Sequence, residues 1–549
     1  MRPRWSLLAA FLVMIPSAAL AAWPVSGIVV ADPFYYYFQG RVFVVPDGSG
    51  GVIATMSPWN LASRVDPEGG ILWSVDPFDA AGLPAPSIKV FISRANTGDG
   101  SGGMWLATQD ADRTGNVVAV RYDASGALQA GRATLSEGDG VDRWIRAAIS
   151  DDQGGMFVVW STLLAATNEG ELRATHVDAL GNVTGPANGV VVFSGLEGWA
   201  FAGAVADGAG GLLVSTTDAG GAVVQRLDAT LSPGFGAGVR IEPAQLSSSF
   251  ALGAAGDGGA FVTWADGPIA ATAIRVLRLD AHGLVSPGWP AAGAVAAGPS
   301  QSPAISQVVA DGTGGACVSW FDQQASGGDA VYTVRASRVL ANGRIAHGWQ
   351  PSGVELASGS YPALTLVADG TGGCYLAWAF PSVLYGGVFA QHLAADGRVF
   401  PGWQTGGLGL KSGFGTYYDS PYAIADGSGG VYVGWDELSW PMALHQAHLT
   451  RLSPGGPAGG HAPTSFLSLA RVAPNPATGL FTVSATMPDD QPARLEVFDL
   501  AGRVSEVREV RGAGERGLTL DASRLAPGVH WMRLTHPTGI RTARIIVVH

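Results

Sequence analysis

Cysteine is almost missing from this 549-residue chain: only Cys317 and Cys374 are present, too few for a disulfide framework. Lysine is nearly as scarce, with Lys89 and Lys411 alone, and 32 Lys plus Arg face 44 Asp plus Glu for a net charge of −12. That balance supplies no basic surface for phosphate and excludes nucleic acid as an expected partner. Charged residues reach only 14% against 47% hydrophobic, the reverse of a disordered composition. After an N-terminal leader, no stretch of about 20 uninterrupted apolar residues remains, so no membrane-spanning helix is expected. Motifs of hydrolysis are missing as well: there is no His-Glu-x-x-His and no Gly-x-Ser-x-Gly. No sequence feature asks for a cofactor.

Glycine is what the chain has in abundance, 79 residues in all, and it falls in a pattern. Asp-Gly-x-Gly-Gly followed by an apolar run begins at Asp47, Asp99, Asp151, Asp207, Ala255, Asp311, Asp369 and Asp426. The steps between these starts are 52, 52, 56, 48, 56, 58 and 57 residues. Such a period, built of strands and turns, is the mark of a propeller or solenoid array.

One repeat reads as four strands. An inner strand such as Ser302 to Ile305 precedes the Asp, and the Asp-Gly turn makes a hairpin in which Gly supplies positive φ. The second strand ends, nine residues after the Asp, in Trp160, Trp264, Trp320, Trp378 or Trp435, with Met56, Thr108 and Thr216 in the other three copies. A third strand ends in a basic residue with Gly five further on, as in Arg64 to Gly69 or Arg338 to Gly343; His176 and His392 take the basic position twice, and Leu231 replaces the Gly once. A fourth piece, Gly-Trp-x-x-x-Gly, carries Trp289, Trp349 and Trp403 and is expected to be the outer strand. The last repeat lacks that piece, whereas Trp23 to Gly27 at the N-terminus match it. The fold class expected is therefore all-β: an eight-bladed β-propeller over residues 23–455, closed by an N-terminal strand that protects its edges. Tyr35 to Phe38 are expected to form the first inner strand.

Arg2 and Arg4 before the apolar run Leu7 to Ile15, with Ala19-Leu20-Ala21 as a small-x-small site, read as a signal peptide over residues 1–21. Cys317 and Cys374 sit six and five residues after their Asp, one step out of phase, so a bridge is not expected and both are read as buried thiols. Each Asp-Gly turn brings one carboxylate, short of the six to eight oxygens calcium takes. His445 and His448 stand three apart in a strand and face opposite sides, so no metal is assigned to them.

A ligand is expected on the face opposite the Asp-Gly turns, where loops vary in length. The candidate binding residues there are Asp266, Asp322, Gln323, Tyr385, Tyr418, Asp419, Asp436, Glu437 and Trp440, since exposed aromatics beside carboxylates and amides suit sugar rings. The plain alternative is that these are ordinary solvated loops. No catalytic set is singled out.

After a Gly/Pro linker at residues 456–466, alternation of apolar and polar residues over 467–549 indicates a small Ig-like sandwich. Pro474 to Gly479, Val497 to Arg503 and Leu520 to Val529 come in order before a closing strand at Thr542 to Val548. These segments resemble the type IX secretion C-terminal sorting domain. The Ig-like domain of the flagellar hook-capping protein family shares the Pro-Asn-Pro start and the Asp-x-x-Gly-Arg turn, whereas Leu-Asp-x-Ser-x-Leu favours the sorting family. The resemblance implies contact with the export machinery and a secreted or outer-membrane surface location in a Gram-negative bacterium. The expected function is that of a monomeric, non-enzymatic propeller binding extracellular polysaccharide or protein. The alternatives are a secreted propeller hydrolase or lyase acting on glycans, and a structural surface protein without a specific ligand.

Overall fold

The computed structural model describes residues 23–548 apart from 36–40, 58–60, 76–93, 110–115, 130, 138–142, 165–166, 168, 198–199, 219, 243–249, 269–271, 301–302, 325–330, 360–362, 381–385, 413–415, 440–443, 457–467, 474, 488–490, 513 and 537–538. Residues 1–21, expected as a signal peptide, and nearly all of 456–466, expected as a linker, lie outside the described residues. The fold is all-β, a succession of four-stranded antiparallel sheets consistent with a propeller. Eight sheets follow one another before residue 457, and the third carries an additional outer strand, Val190–Glu197.

The first strands of these sheets are Arg41–Pro46, Arg94–Gly98, Arg143–Ser150, Gly203–Ala206, Phe250–Ala254, Pro303–Ala310, Ala363–Ala368 and Thr416–Ala425. Each lies against the first strand of the next sheet, and Thr416–Ala425 lies against Arg41–Pro46, so the eight meet around one axis. The eighth sheet takes its outer strand from the N-terminus: Ile28–Tyr35 pairs antiparallel with Leu444–Leu452. Tyr35 therefore ends an outer strand opposite Leu444, and the first inner strand is Arg41–Pro46, which corrects the expectation for Tyr35 to Phe38. Residues 36–38 lie outside the described residues.

The repeat motif closes its own turn and, in several copies, reaches the next sheet. Asp47 Oδ1 accepts the N–H groups of Ser49 (2.7 Å) and Gly51 (2.9 Å), closing the hairpin turn. Its Oδ2 takes Arg64 Nε at 2.8 Å, and Arg64 Nη1 donates to Ala124 O of the next sheet at 2.9 Å. The same chain of contacts runs from Asp99 through Arg121 to Ala179 O and from Asp311 through Arg338 to Ala395 O. From Asp426 it runs through Arg451 to Pro67 O, joining the last sheet to the first. His176 and His392 stand in for arginine, 2.8 and 3.1 Å from Asp151 and Asp369. In the fifth copy, where Ala255 replaces Asp, Asp257 takes over: it accepts Gly259 N and pairs with Arg278 at 2.6 Å.

Five of the sheets hold a buried tryptophan nine residues after the Asp position. Each indole covers the glycine that precedes an outer strand: Trp160 on Gly189, Trp264 on Gly293, Trp320 on Gly353, Trp378 on Gly407 and Trp435 on Gly27. A Cβ at any of these glycines would fall 2.3–2.7 Å from the indole. Trp289, Trp349 and Trp403 stand in the turn ahead of the outer strand rather than in the strand itself, which begins at Ala294, Val354 and Leu408. Their position lets Trp349 and Trp403 donate their indole N–H to Ala395 O and Pro454 O of the following sheet, as Trp23 does to Pro67 O.

Both cysteines are buried and free. They lie in one apolar cluster between the sixth and seventh sheets, and the phase argument needs correction. The sixth residue after the Asp faces the following sheet: Trp105 reaches Gly154 O, Tyr375 reaches Gly429 O and Tyr432 reaches Gly50 O. The fifth faces the preceding sheet, since successive strand residues alternate. Opposite phase on neighbouring sheets thus brings Cys317 and Cys374 together.

Beyond residue 467 two antiparallel sheets enclose a separate core. Ser468–Ala473, Leu480–Met487 and Gly514–Asp521 form one sheet. Val504–Val510, Ala493–Phe498, Gly528–His536 and Gly539–Val547 form the other. Phe481, Val483, Leu495, Val497, Met532 and Ile545 pack between them. Asn475 Oδ1 accepts Ile546 N, Asp499 Oδ1 closes its turn on Ala501 N and Arg503 N, and Asp521 caps the 3-10 turn Ala522–Arg524.

Candidate functional site

A cavity of about 460 Å³ opens on the axis, within the range of roughly 300–1,000 Å³ typical of small-molecule sites. Its wall is built by first strands: Phe43 and Val45 from the first sheet, Asn96 and Thr97 from the second, Arg146 to Ser150 from the third, and Tyr422 from the eighth. The cavity also reaches between the first two sheets, past Thr55, Met56, Met104 and Leu106. These sheets carry Met56 and Thr108 where five others carry an indole.

Two charged side chains line it, Arg146 and Asp152. Arg146 sits at a β-bulge, where the register between the strands Arg143–Ser150 and Met156–Leu164 slips between Ile145 and Ala147. A bulge re-aims a side chain. Arg146 Nε donates to Ser161 Oγ at 2.8 Å. Burial lowers its pKa from the ordinary value, and a guanidinium stays cationic at neutral pH. Asp152 occupies the second turn position, glycine in the other seven copies, and holds φ at +58°. Burial, then the nearby charges of Asp151 and Asp207, raise its carboxyl above the ordinary range. Asn96 Oδ1 accepts Thr55 Oγ1 across the sheet interface at 3.0 Å, which fixes the amide. Phe43 and Tyr422 meet edge to face with centroids 5.6 Å apart.

The residues singled out from sequence are placed differently. Asp266, Asp322, Asp436 and Glu437 lie in second strands rather than in loops, and all four are buried. Asp266 pairs with Arg275 at 2.5 Å and Asp322 with Arg335 at 2.9 Å. Asp436 meets His445 at 2.7 Å, and Glu437 meets both Lys411 and His448 at 2.8 Å. Burial works against the Glu437 charge, but His448 and Lys411 outweigh it and lower its pKa. The two histidines thus serve separate acids, as their odd spacing requires. Tyr418 is buried rather than exposed, and burial with the Glu437 charge raises its pKa. Gln323 is exposed; Asp419 pairs by its backbone with Asp436; Tyr385 and Trp440 lie outside the described residues.

This set is an ion-pair layer that ties strands and neighbouring sheets, and the structure brings together only its members from the eighth sheet. Sequence reasoning passed over Lys411, Arg275 and Arg335, the partners that consume the acids. It also passed over Arg146 and Asp152, although the break in the glycine column at Asp152 was a readable signal.

The comparisons with known proteins bear on the C-terminal sheets. Residues 471–548 match the profile of the secretion system C-terminal sorting domain. Those residues are a type IX sorting domain. The sorting domain marks the chain for secretion to the cell surface or extracellular space and implies contact with the secretion machinery. Among the described residues no helix is long and apolar enough to cross a membrane. No curated protein matches the chain. Among solved structures it is similar to prolyl oligopeptidase B from Galerina marginata, at 8% identity and a TM-score of 0.40, covering 73% of this chain and 56% of that one. It is similar to an ulvan lyase at 10% identity and a TM-score of 0.38, over 63% of this chain and 89% of the other. Drosophila plexin A in complex with semaphorin 1b is similar at 10% identity and a TM-score of 0.34, over 78% and 88%.

Proposed function

We propose that the chain is a non-enzymatic binding protein of the bacterial surface. A signal peptide over residues 1–21 and the sorting domain over 467–549 carry it out of a Gram-negative cell by the type IX route. Between them, residues 23–455 form an eight-bladed propeller, joined by the linker 456–466 to an Ig-like sandwich. The propeller binds extracellular polysaccharide or protein and acts as a monomer.

The observation that carries this reading is the sorting domain on a chain whose other described residues form a succession of antiparallel sheets. The acids at the strand ends are held in ion pairs, as expected of a scaffold. The axial cavity brings one carboxylate, Asp152, and one guanidinium, Arg146, which suits recognition more than acid–base chemistry. The test is an array of bacterial and algal polysaccharides and surface proteins probed with the mature chain. Saturable retention on one class supports the reading. Uniform background on all of them, or turnover of a retained polysaccharide, contradicts it.

A further inference from the structure

We propose that the outward face of the second C-terminal sheet, centred on Trp531, docks the sorting domain on a protein of the secretion machinery that offers an apolar groove rimmed by carboxylates. This rests on the type IX reading of residues 471–548 and names the partner-facing surface of that domain. Three observations lead to it.

The first is a row of side chains laid across all four strands of that sheet. Phe498 pairs with Val504 on one side and Trp531 on the other, and Trp531 pairs in turn with Arg544. Beside this row, Glu496 pairs with Val507 and with Arg533. Met532 and Leu534 alternate into the core, so Trp531 and Arg533 point away from it. Trp531 is 47% exposed, and Val504 and Val507 are as open. Single exposed apolar residues need no explanation, whereas a contiguous stripe of them marks an interaction surface.

The second is the state of its charges. Glu496 is nearly buried, 2.7 Å from Arg533 and 3.2 Å from Arg494. Arg533 also lies over the Phe498 ring, 4.6 Å from its centroid. Held on two sides, this guanidinium loses little freedom when a partner arrives. Glu509, opposite Arg494, is taken by Arg511 at 2.5 Å. The face thus sets Arg494, Arg533 and exposed Arg544 against Glu496, an excess of positive charge beside the tryptophan. Residues 471–548 as a whole carry ten arginines against eight acids, in a chain whose net charge is −12. A complementary partner surface is acidic.

The third concerns what covers the face. The matched residues 471–548 include the whole row, and the role of that domain implies contact with the secretion machinery. A domain that serves to be recognised carries its recognition surface on its exterior. Tryptophan and arginine around a small apolar patch are the composition in which interface energy concentrates. A second copy of the chain fits less well: a two-fold interface uses the same patch on both partners, which here would set arginines against arginines.

The experiment is export of the full chain and its single variants by a type IX-competent host, scored as the fraction at the cell surface and in the medium. Trp531→Glu should lower that fraction at least about tenfold, the scale of losing one interface anchor. Trp531→Phe should keep most of it. Leu480→Glu, at an exposed position on the other C-terminal sheet, should match the unaltered chain. Arg544→Glu should lower export several-fold and Arg544→Lys should restore most of it. The urea midpoint of each purified variant shows that folded chains are being compared; if Trp531→Glu does not fold, Arg544→Glu carries the test. Export of the folded glutamate variants at the unaltered level overturns the inference. So does an equal loss in Leu480→Glu, or a purified dimer that Trp531→Glu splits into monomers. If the unaltered chain is itself not exported, the type IX reading fails and the docking face with it; if it is exported and the variants are too, only the docking face is lost.

Discussion

Replacing Gly293 by alanine, with Gly288→Ala as its partner experiment, isolates what the tryptophan–glycine contact contributes. Both glycines stand in the turn that carries Trp289, and both hold positive φ, +76° and +86°. At Gly288 an added Cβ meets nothing within 4 Å. Its cost is the left-handed backbone alone, about 1–2 kcal/mol. At Gly293 the Cβ would lie 2.5 Å from Trp264 Cη2 and 3.3 Å from Val276 O. The Trp264 indole is buried in its cluster and cannot swing aside. Overpacking of this kind adds about 1–3 kcal/mol, so Gly293→Ala should cost roughly 2–5 kcal/mol in all. Urea denaturation followed by tryptophan fluorescence reads both variants, with the midpoint of the major transition as the measure. A second variant, Trp264→Leu combined with Gly293→Ala, should recover the overpacking part and leave the backbone part. Equal destabilisation by the two single alanines would refute the reasoning.

Asp311→Ala strands a nearly buried Arg338 and should cost about 3–5 kcal/mol, whereas Asp257→Ala in the fifth sheet, with its carboxylate 54% exposed, should cost about 1 kcal/mol or less; equal losses in denaturation midpoint would contradict this. Asp47, Asp369 and Asp426 have carboxyls below the ordinary 3.8, because serine or threonine donors with Arg64, His392 and Arg451 outweigh the effect of burial. Groups with lowered folded pKa stabilise fully above the unfolded value, so melting temperature should hold from neutral pH to about 5 and fall as pH drops through 4. A decline beginning near pH 6 would point to other groups. Cys374 has a thiol pushed up by the adjacent Cys317 and by burial, so neither cysteine should react with a thiol reagent until the chain is denatured, when two equivalents should appear. Native reactivity, or a mass short by two hydrogens, would show the pair to be exposed or bridged.

The architecture was legible because the repeat is a set of contacts written at fixed spacing. Asp47 with Arg64, and Trp320 with Gly353, are columns that the eye finds in sequence and that prove to touch in space. The match of Trp23 to Gly27 with later turns anticipated the strand Ile28–Tyr35 on the last sheet, and three ordered motifs anticipated the sorting domain. What failed was reasoning that needed the third dimension. Cys317 and Cys374 are the two buried free thiols expected, but the one-step phase offset between neighbouring repeats brings them to one interface instead of keeping them apart. Asp266, Asp322 and Asp436 look like loop acids because the length of a strand carries no sequence mark, and their partners come from the adjacent third strand. Arg146 stands at a bulge that the sixth sheet repeats between Ile305 and Gln307, and no residue type marks it. Leu231 shows the converse: read as a departure from glycine, it keeps the glycine conformation at φ +67° and fills a buried site.

The measurement that tests the central claim most directly is fractionation of a type IX-competent host expressing the chain with and without residues 471–548. The account predicts that the full chain reaches the cell surface or medium, while the truncated chain is retained inside the outer membrane in folded form. Equal release of the two chains, or retention of both, would contradict it.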